Sequence, residues 1–149
     1  MTTRRGLFAQ VTRRFRFSAE RVFDAFLDPS KAGKFMFATA DGTMVRAEVD
    51  ARVGGKYCFV DRRSPEGDIE HTGEYLALER PRRLEFTLQV PKYSQNVDRV
   101  LVEISDTAEG CEVTLTHDLG MDEAEYAKFK DRTEQGWGHI LDALERTLA

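Results

Sequence analysis

Between residues 44 and 118 the sequence holds six runs in which apolar and polar residues alternate, with no helical periodicity among them. The runs cover 44–50, 56–62, 70–79, 84–90, 99–106 and 112–118. What separates them is turn chemistry: Gly54 and Gly55, then Pro65, Gly67 and Asp68, then Pro81, then Pro91, then Glu109 and Gly110. Links this short cannot carry crossover helices, so consecutive strands are expected to pair as antiparallel hairpins. Val45/Ala47/Val49, Tyr57/Phe59, Leu84/Phe86/Leu88, Val100/Val102/Ile104 and Val113/Leu115 set the apolar side of each run. Such a sheet has only one face to bury and needs a partner layer.

The two ends of the chain supply it. Residues 10–17 alternate Val11, Phe15 and Phe17 with Thr12, Arg14 and Arg16, which predicts a first strand, although Arg13 interrupts its inner set. Ser18 is placed to cap a short helix with Val22, Phe23, Ala25 and Phe26 on one stripe, stopped by Asp28 and Pro29. Ser30 is then read as the cap of a second short helix reaching Phe35, and Asp41-Gly42 as the turn into the strands. From Asp122 onward, with Glu125 completing a capping box, Phe129, Thr133, Trp137, Ile140 or Leu141, Leu144 and Leu148 recur at steps of three and four. The economical fold is α+β: a curved antiparallel sheet of seven strands around a long C-terminal helix, with two short helices after the first strand closing one end.

Length and charge narrow the class. The 149 residues fit one domain, 1–149, and 41% hydrophobic content suits a globular core. A net charge of -4 disfavours nucleic acid and anionic membrane surfaces as partners. No apolar window is long enough to span a bilayer and no apolar segment follows the N-terminal arginines, so a cytoplasmic protein is expected. Cys58 and Cys111 lie far apart, without a CxxC or zinc-type spacing, and are read as reduced thiols. The three histidines, His71, His117 and His139, make no HxH or HExxH pattern; no metal and no cofactor are expected. Neither a GxSxG elbow nor a phosphate-cradling loop is present, since Val53-Gly54-Gly55 precedes a strand rather than a helix.

The order of elements resembles the helix-grip fold (START-like, Bet v-like) of the SRPBCC superfamily. Within it, Ser18 to Pro29, Val53-Gly54-Gly55, Gly73 to Leu76 with Arg80-Pro81 and Leu84 to Thr87, and Gly136-Trp137 with Leu141 and Leu144 resemble the family of homologues of the activator of heat-shock protein 90 ATPase. Phe35, Leu88 and Arg80 stand where that family often has tryptophan, tryptophan and proline, which implies a pocket of different shape. The fold hosts carriers, cyclases, receptors and chaperone activators, so the resemblance implies a scaffold and not a reaction. In the eukaryotic activator a second domain contributes to chaperone contact, and 149 residues are expected to hold only the first.

Candidate site residues follow from parity. Alternation puts Asp61 on the side of Tyr57 and Phe59, and His117 on the side of Val113 and Leu115. It puts His71 with Tyr75, although Leu76 and Leu78 argue for the opposite phase. These polar groups either reach solvent at the rim or, with Tyr57, line the mouth of a cavity between sheet and helix. Phe35, Phe37, Phe59, Leu88, Phe129 and Trp137 are the candidate walls, Phe35 and Phe37 the candidate lid, and Thr133 a candidate polar contact. The arginines at 13, 14, 16, 62, 63, 80, 82 and 83 read as solvated edges and turns. Three functions fit: a carrier of a small hydrophobic or aromatic ligand, a cyclase- or hydrolase-like enzyme using Asp61, His71 or His117, and a chaperone-interacting module with a dry core. The expected assembly is a monomer or homodimer.

Overall fold

Each alternating run is a strand in the computed structural model, which describes residues 7–119 and 121–149. The amino-terminal arginines read for a targeting signal lie outside the described residues. The chain runs β1 (Phe8–Phe15), α1 (Ala19–Leu27), α2 (Pro29–Phe35), β2 (Thr43–Val49), β3 (Lys56–Arg63), β4 (Gly67–Glu79), β5 (Arg83–Leu88), β6 (Asp98–Asp106), β7 (Cys111–Asp118) and α3 (Glu123–Leu148). The sheet has seven strands in the order β1-β7-β6-β5-β4-β3-β2, antiparallel at every pairing. β2 to β7 form a meander of hairpins, and β1 closes onto β7 with Phe8 opposite Asp118 and Phe15 opposite Cys111. No helix among the described residues is long and apolar enough to cross a membrane.

Local chemistry explains the helix ends, with one correction. Ser18 accepts from the backbone N–H of Arg21 and starts α1 as expected. Ser30, read as the second cap, is not one: Asp28 accepts from the Ser30 N–H at 2.9 Å, and Pro29 is the first residue of α2. Proline suits that position because its missing N–H would have no partner there and its φ is already helical. Asp28-Pro29 therefore ends one helix and begins the next. Asp122 accepts from the Glu125 N–H at 2.9 Å and starts α3.

Two bulges correct the strand phases. Between Met44 and Arg46 the register of β2 shifts, so that Met44, Ala47 and Val49 pack on the core while Val45, read as inward, is exposed. A second shift lies between Tyr75 and Ala77 in β4. Before it, Ile69, His71 and Tyr75 face inward; after it, Leu78 does, opposite Leu84. The conflict between His71/Tyr75 and Leu78 disappears, because one extra residue reverses the side on which every later residue points.

The core lies between the concave sheet and the helices. Phe23 and Phe26 from α1, Phe35 from α2, Phe59, Phe86 and Leu115 from the sheet, and Trp137, Leu141, Leu144 and Leu148 from α3 belong to one cluster. Each such side chain contributes about 1.5–3 kcal/mol by leaving water. At Gly73 the backbone comes so close that only glycine fits, since a Cβ would stand 1.8 Å from the Thr87 carbonyl oxygen. Gly138 leaves room for a flexible side chain instead: a Cβ there would stand 2.9 Å from the Arg13 guanidinium. The latter opening explains Arg13: its side chain crosses α3 at Gly138 and meets Asp142 at 3.4 Å, so a charged residue sits on an inward position of β1 without being buried.

Candidate functional site

Tyr57, Phe59 and Tyr75, expected to line a cavity, are all buried, and the space they enclose with Phe26, Met36, Leu84 and Phe86 is about 10 Å³. That is room for one water molecule at most. The Tyr57 hydroxyl donates to the Thr87 carbonyl at 2.6 Å, and burial pushes both phenols well above their ordinary pKa. Phe35 lies fully inside, its ring edge-on to Phe26 at 5.4 Å, so it is core and not lid. Phe129 is half-buried on α3 with the Arg132 guanidinium 5.9 Å from its ring.

The open space lies farther along α3. A groove of about 850 Å³ runs between α3, the segment after α2 and the ends of β3, β4 and β5. Phe37, His71, Leu88, Thr133 and Trp137 line it, all from the expected set, together with Val90, Ile140 and Ala143. Lys34, Arg63, Asp142 and Arg146 supply its charge. Phe37 organises the floor. Its ring stacks on His71 with centroids 4.3 Å apart and an interplanar angle of 8°, and meets Trp137 at 5.7 Å and 64°. To reach that position Phe37 adopts φ 60°, a left-handed conformation that is strained for a bulky side chain.

Asp61 is 1% exposed, so it does not reach solvent at the rim. Its Oδ2 accepts from Arg63 Nε at 2.8 Å and from the Thr39 hydroxyl at 2.8 Å. Arg63, read as a solvated strand end, is turned inward: a second guanidinium nitrogen donates to the Phe37 carbonyl at 3.2 Å. The pair thus ties the end of β3 to the strained residue of the groove floor. Parity could have found it, since Tyr57, Phe59, Asp61 and Arg63 share one face of β3.

His117 is buried with both ring nitrogens engaged. Trp137 Nε1 donates to its Nδ1 at 2.9 Å, and its Nε2 lies 2.9 Å from Asp98 Oδ2. Because indole can only donate, Nδ1 must accept and the proton belongs on Nε2, facing Asp98. Asp98 carries no apolar signal and was not legible as a partner. His71 is different: its Nδ1 is buried with no hydrogen-bond partner. Burial, then the charge of Arg63, lowers its pKa from 6.5 to about 4, so the imidazole is neutral at pH 7. Both thiols are free and their pKa values are raised by burial, which does not favour a thiolate nucleophile. Among the described residues no cluster of three or more His, Cys, Asp and Glu could hold a metal ion.

An acid limb follows from His71. Since its folded-state pKa lies below the ordinary 6.5, the unfolded chain binds the proton more readily between pH 6.5 and about 4. Stability is full above pH 6.5 and is lost as pH falls through that window, by about 3 kcal/mol from this group. Urea denaturation at pH 7 and pH 4.5 should show the loss in the wild type and a smaller one in His71→Gln. Equal acid losses in both proteins would show that His71 titrates normally.

The sequence profile of a family described as Activator of Hsp90 ATPase homolog 1-like protein matches residues 16–149. The chain belongs to this family. Solved structures of similar proteins share the fold over most of the chain. A protein from Chromobacterium violaceum is 23% identical, with 93% of this chain and 95% of that chain covered and a TM-score of 0.80. One from Nitrosomonas europaea is 21% identical, with 99% and 97% covered and a TM-score of 0.80. The AHSA1-like protein from Aeromonas hydrophila is 23% identical, with 95% and 91% covered and a TM-score of 0.78. At such identities the likeness concerns the family's fold. No curated protein sequence matches the chain.

Proposed function

We propose that this family member binds a small hydrophobic or aromatic molecule in the groove beside Trp137. The observation that carries the reading is the groove itself: about 850 Å³, with Phe37, His71 and Trp137 forming an aromatic floor and Leu88, Val90 and Ile140 adding apolar wall. That volume is in the range of small-molecule sites. The strain at Phe37 supports it too, because a bulky residue held at φ 60° by the Arg63 bond to its carbonyl is a position where backbone energy serves something other than folding. Acid-base catalysis by Asp61 or His117 is less well supported, since Asp61 is occupied by Arg63 and Thr39, and His117 by Trp137 and Asp98.

A screen of aromatic acids, flavonoid-like compounds and fatty acids by thermal shift tests the proposal. Thr133 lines the groove and is only half-buried, so Thr133→Trp should fill the space without disturbing the core. Its expected result is a melting temperature within a few degrees of wild type, roughly the effect of a change below about 1 kcal/mol, and no ligand-induced shift. A shift retained in Thr133→Trp would place the ligand elsewhere. The family's description favours a second reading, contact with a chaperone ATPase. If no compound shifts the wild type, the rate of a bacterial chaperone of that class with and without this protein decides for or against it.

A further inference from the structure

The polar part of the groove is one-sided in charge. Lys34 on the last turn of α2 and Arg146 near the end of α3 line it, and neither makes an ion pair with a described residue. Both are exposed. Arg63 lines it from the end of β3, with its Nε committed to Asp61 and its Nη2 to the Phe37 carbonyl. Asp142 is the carboxylate in the lining, and Arg13 already holds it at 3.4 Å. This concentration of positive charge runs against the chain's net charge of -4, so it is not what the average surface would supply.

Resting on the ligand-binding reading above, we infer that the ligand is an organic anion, an apolar or aromatic body with a carboxylate-like group. The body lies against Phe37 and Trp137. Its anionic group lies among Lys34, Arg146 and Nη1 of Arg63, the guanidinium nitrogen that neither Asp61 nor the Phe37 carbonyl engages. Neutral molecules of the same body lose the charge term, and cations meet repulsion from the same residues.

The protein has one tryptophan, Trp137, and it lines the groove, so its emission reports occupancy directly. The probes are 4-phenylbutyrate, 4-phenylbutan-1-ol and 4-phenylbutylamine, which share a body and differ in charge, titrated at pH 7.5 with excitation on the indole alone. The acid should bind about tenfold more tightly than the alcohol, the amine more weakly than both, because two or more partly exposed charges each contribute severalfold. Lys34→Gln/Arg146→Gln should bring the acid close to the alcohol and leave the alcohol unchanged. Raising salt should weaken the acid alone. An alcohol that binds as tightly as the acid, or an acid unaffected by the double variant, overturns the anion inference and leaves the hydrophobic groove standing. If none of the three perturbs Trp137, the ligand reading falls and the inference with it.

Discussion

Trp137→Ala is expected to lower stability by about 3–5 kcal/mol, a large part of the roughly 5–15 kcal/mol that holds such a domain together. The side chain is 4% exposed on the inward stripe of α3, in contact with the ring of Phe37 and in the same cluster as Leu141 and Leu144. Its loss leaves a cavity and also removes the donor that satisfies His117 Nδ1. Trp137→Phe separates the two effects: much of the volume is kept, and the remaining cost of about 1–3 kcal/mol is that of the buried imidazole nitrogen left unbonded. Urea unfolding followed by circular dichroism measures both variants without using the lost fluorophore. An unchanged midpoint in Trp137→Ala would mean that α3 does not grip the sheet through this residue.

Arg63→Ala is expected to cost about 3 kcal/mol, the low end for breaking a buried ion pair because the arginine side chain keeps 23% of its exposure while Asp61 has 1%. The cost arises from the carboxylate left behind with only the Thr39 hydroxyl as a donor. Replacing the charge as well, in Arg63→Ala/Asp61→Asn, should recover much of the loss, so the double variant should be more stable than Arg63→Ala. The interaction energy from a double-mutant cycle checks this. Additive effects of the two changes would show that the groups do not meet. The Arg63 bond to the Phe37 carbonyl adds a second readout, since its loss frees the strained residue and should weaken any ligand that rests on that ring.

The strands were legible because their turns are chemically explicit and their buried face repeats every second residue. α3 was legible because Trp137, Leu141, Leu144 and Leu148 repeat at helical spacing under an Asp122 cap. The strand misreadings have one origin. Val45 was assigned inward and His71 was left in doubt because a bulge inserts a single residue, which alternation alone cannot detect. Ser30 was taken as a cap because serine and aspartate compete for that role, and the chain uses Asp28 with Pro29 after it.

The candidate groove was only half legible. Phe37, His71, Leu88, Thr133 and Trp137 were named and are together in the groove. Tyr57, Phe59 and Tyr75 were named for the same inward parity, yet they pack on one another with ring centroids 5.6–5.7 Å apart and leave no chamber. Parity says which face a side chain takes, not whether the opposite layer fills the space in front of it. The charged residues show the same limit. Asp61 and Arg63 share a face in the sequence pattern, but Lys34, Asp142 and Arg146 are polar residues on helices that could equally have faced solvent alone.

The sequence by itself determined the order of elements, the antiparallel meander, the one-sided sheet and the helix that must cover it, because these depend on local periodicity and turn chemistry. Only the tertiary structure decided that the core beneath the sheet is filled, that the open space lies along the second half of α3, and that Lys34 and Arg146, without an ion pair among the described residues, gather there. Those outcomes depend on how closely two layers pack and where residues over a hundred positions apart, Lys34 and Arg146 among them, are brought to one surface.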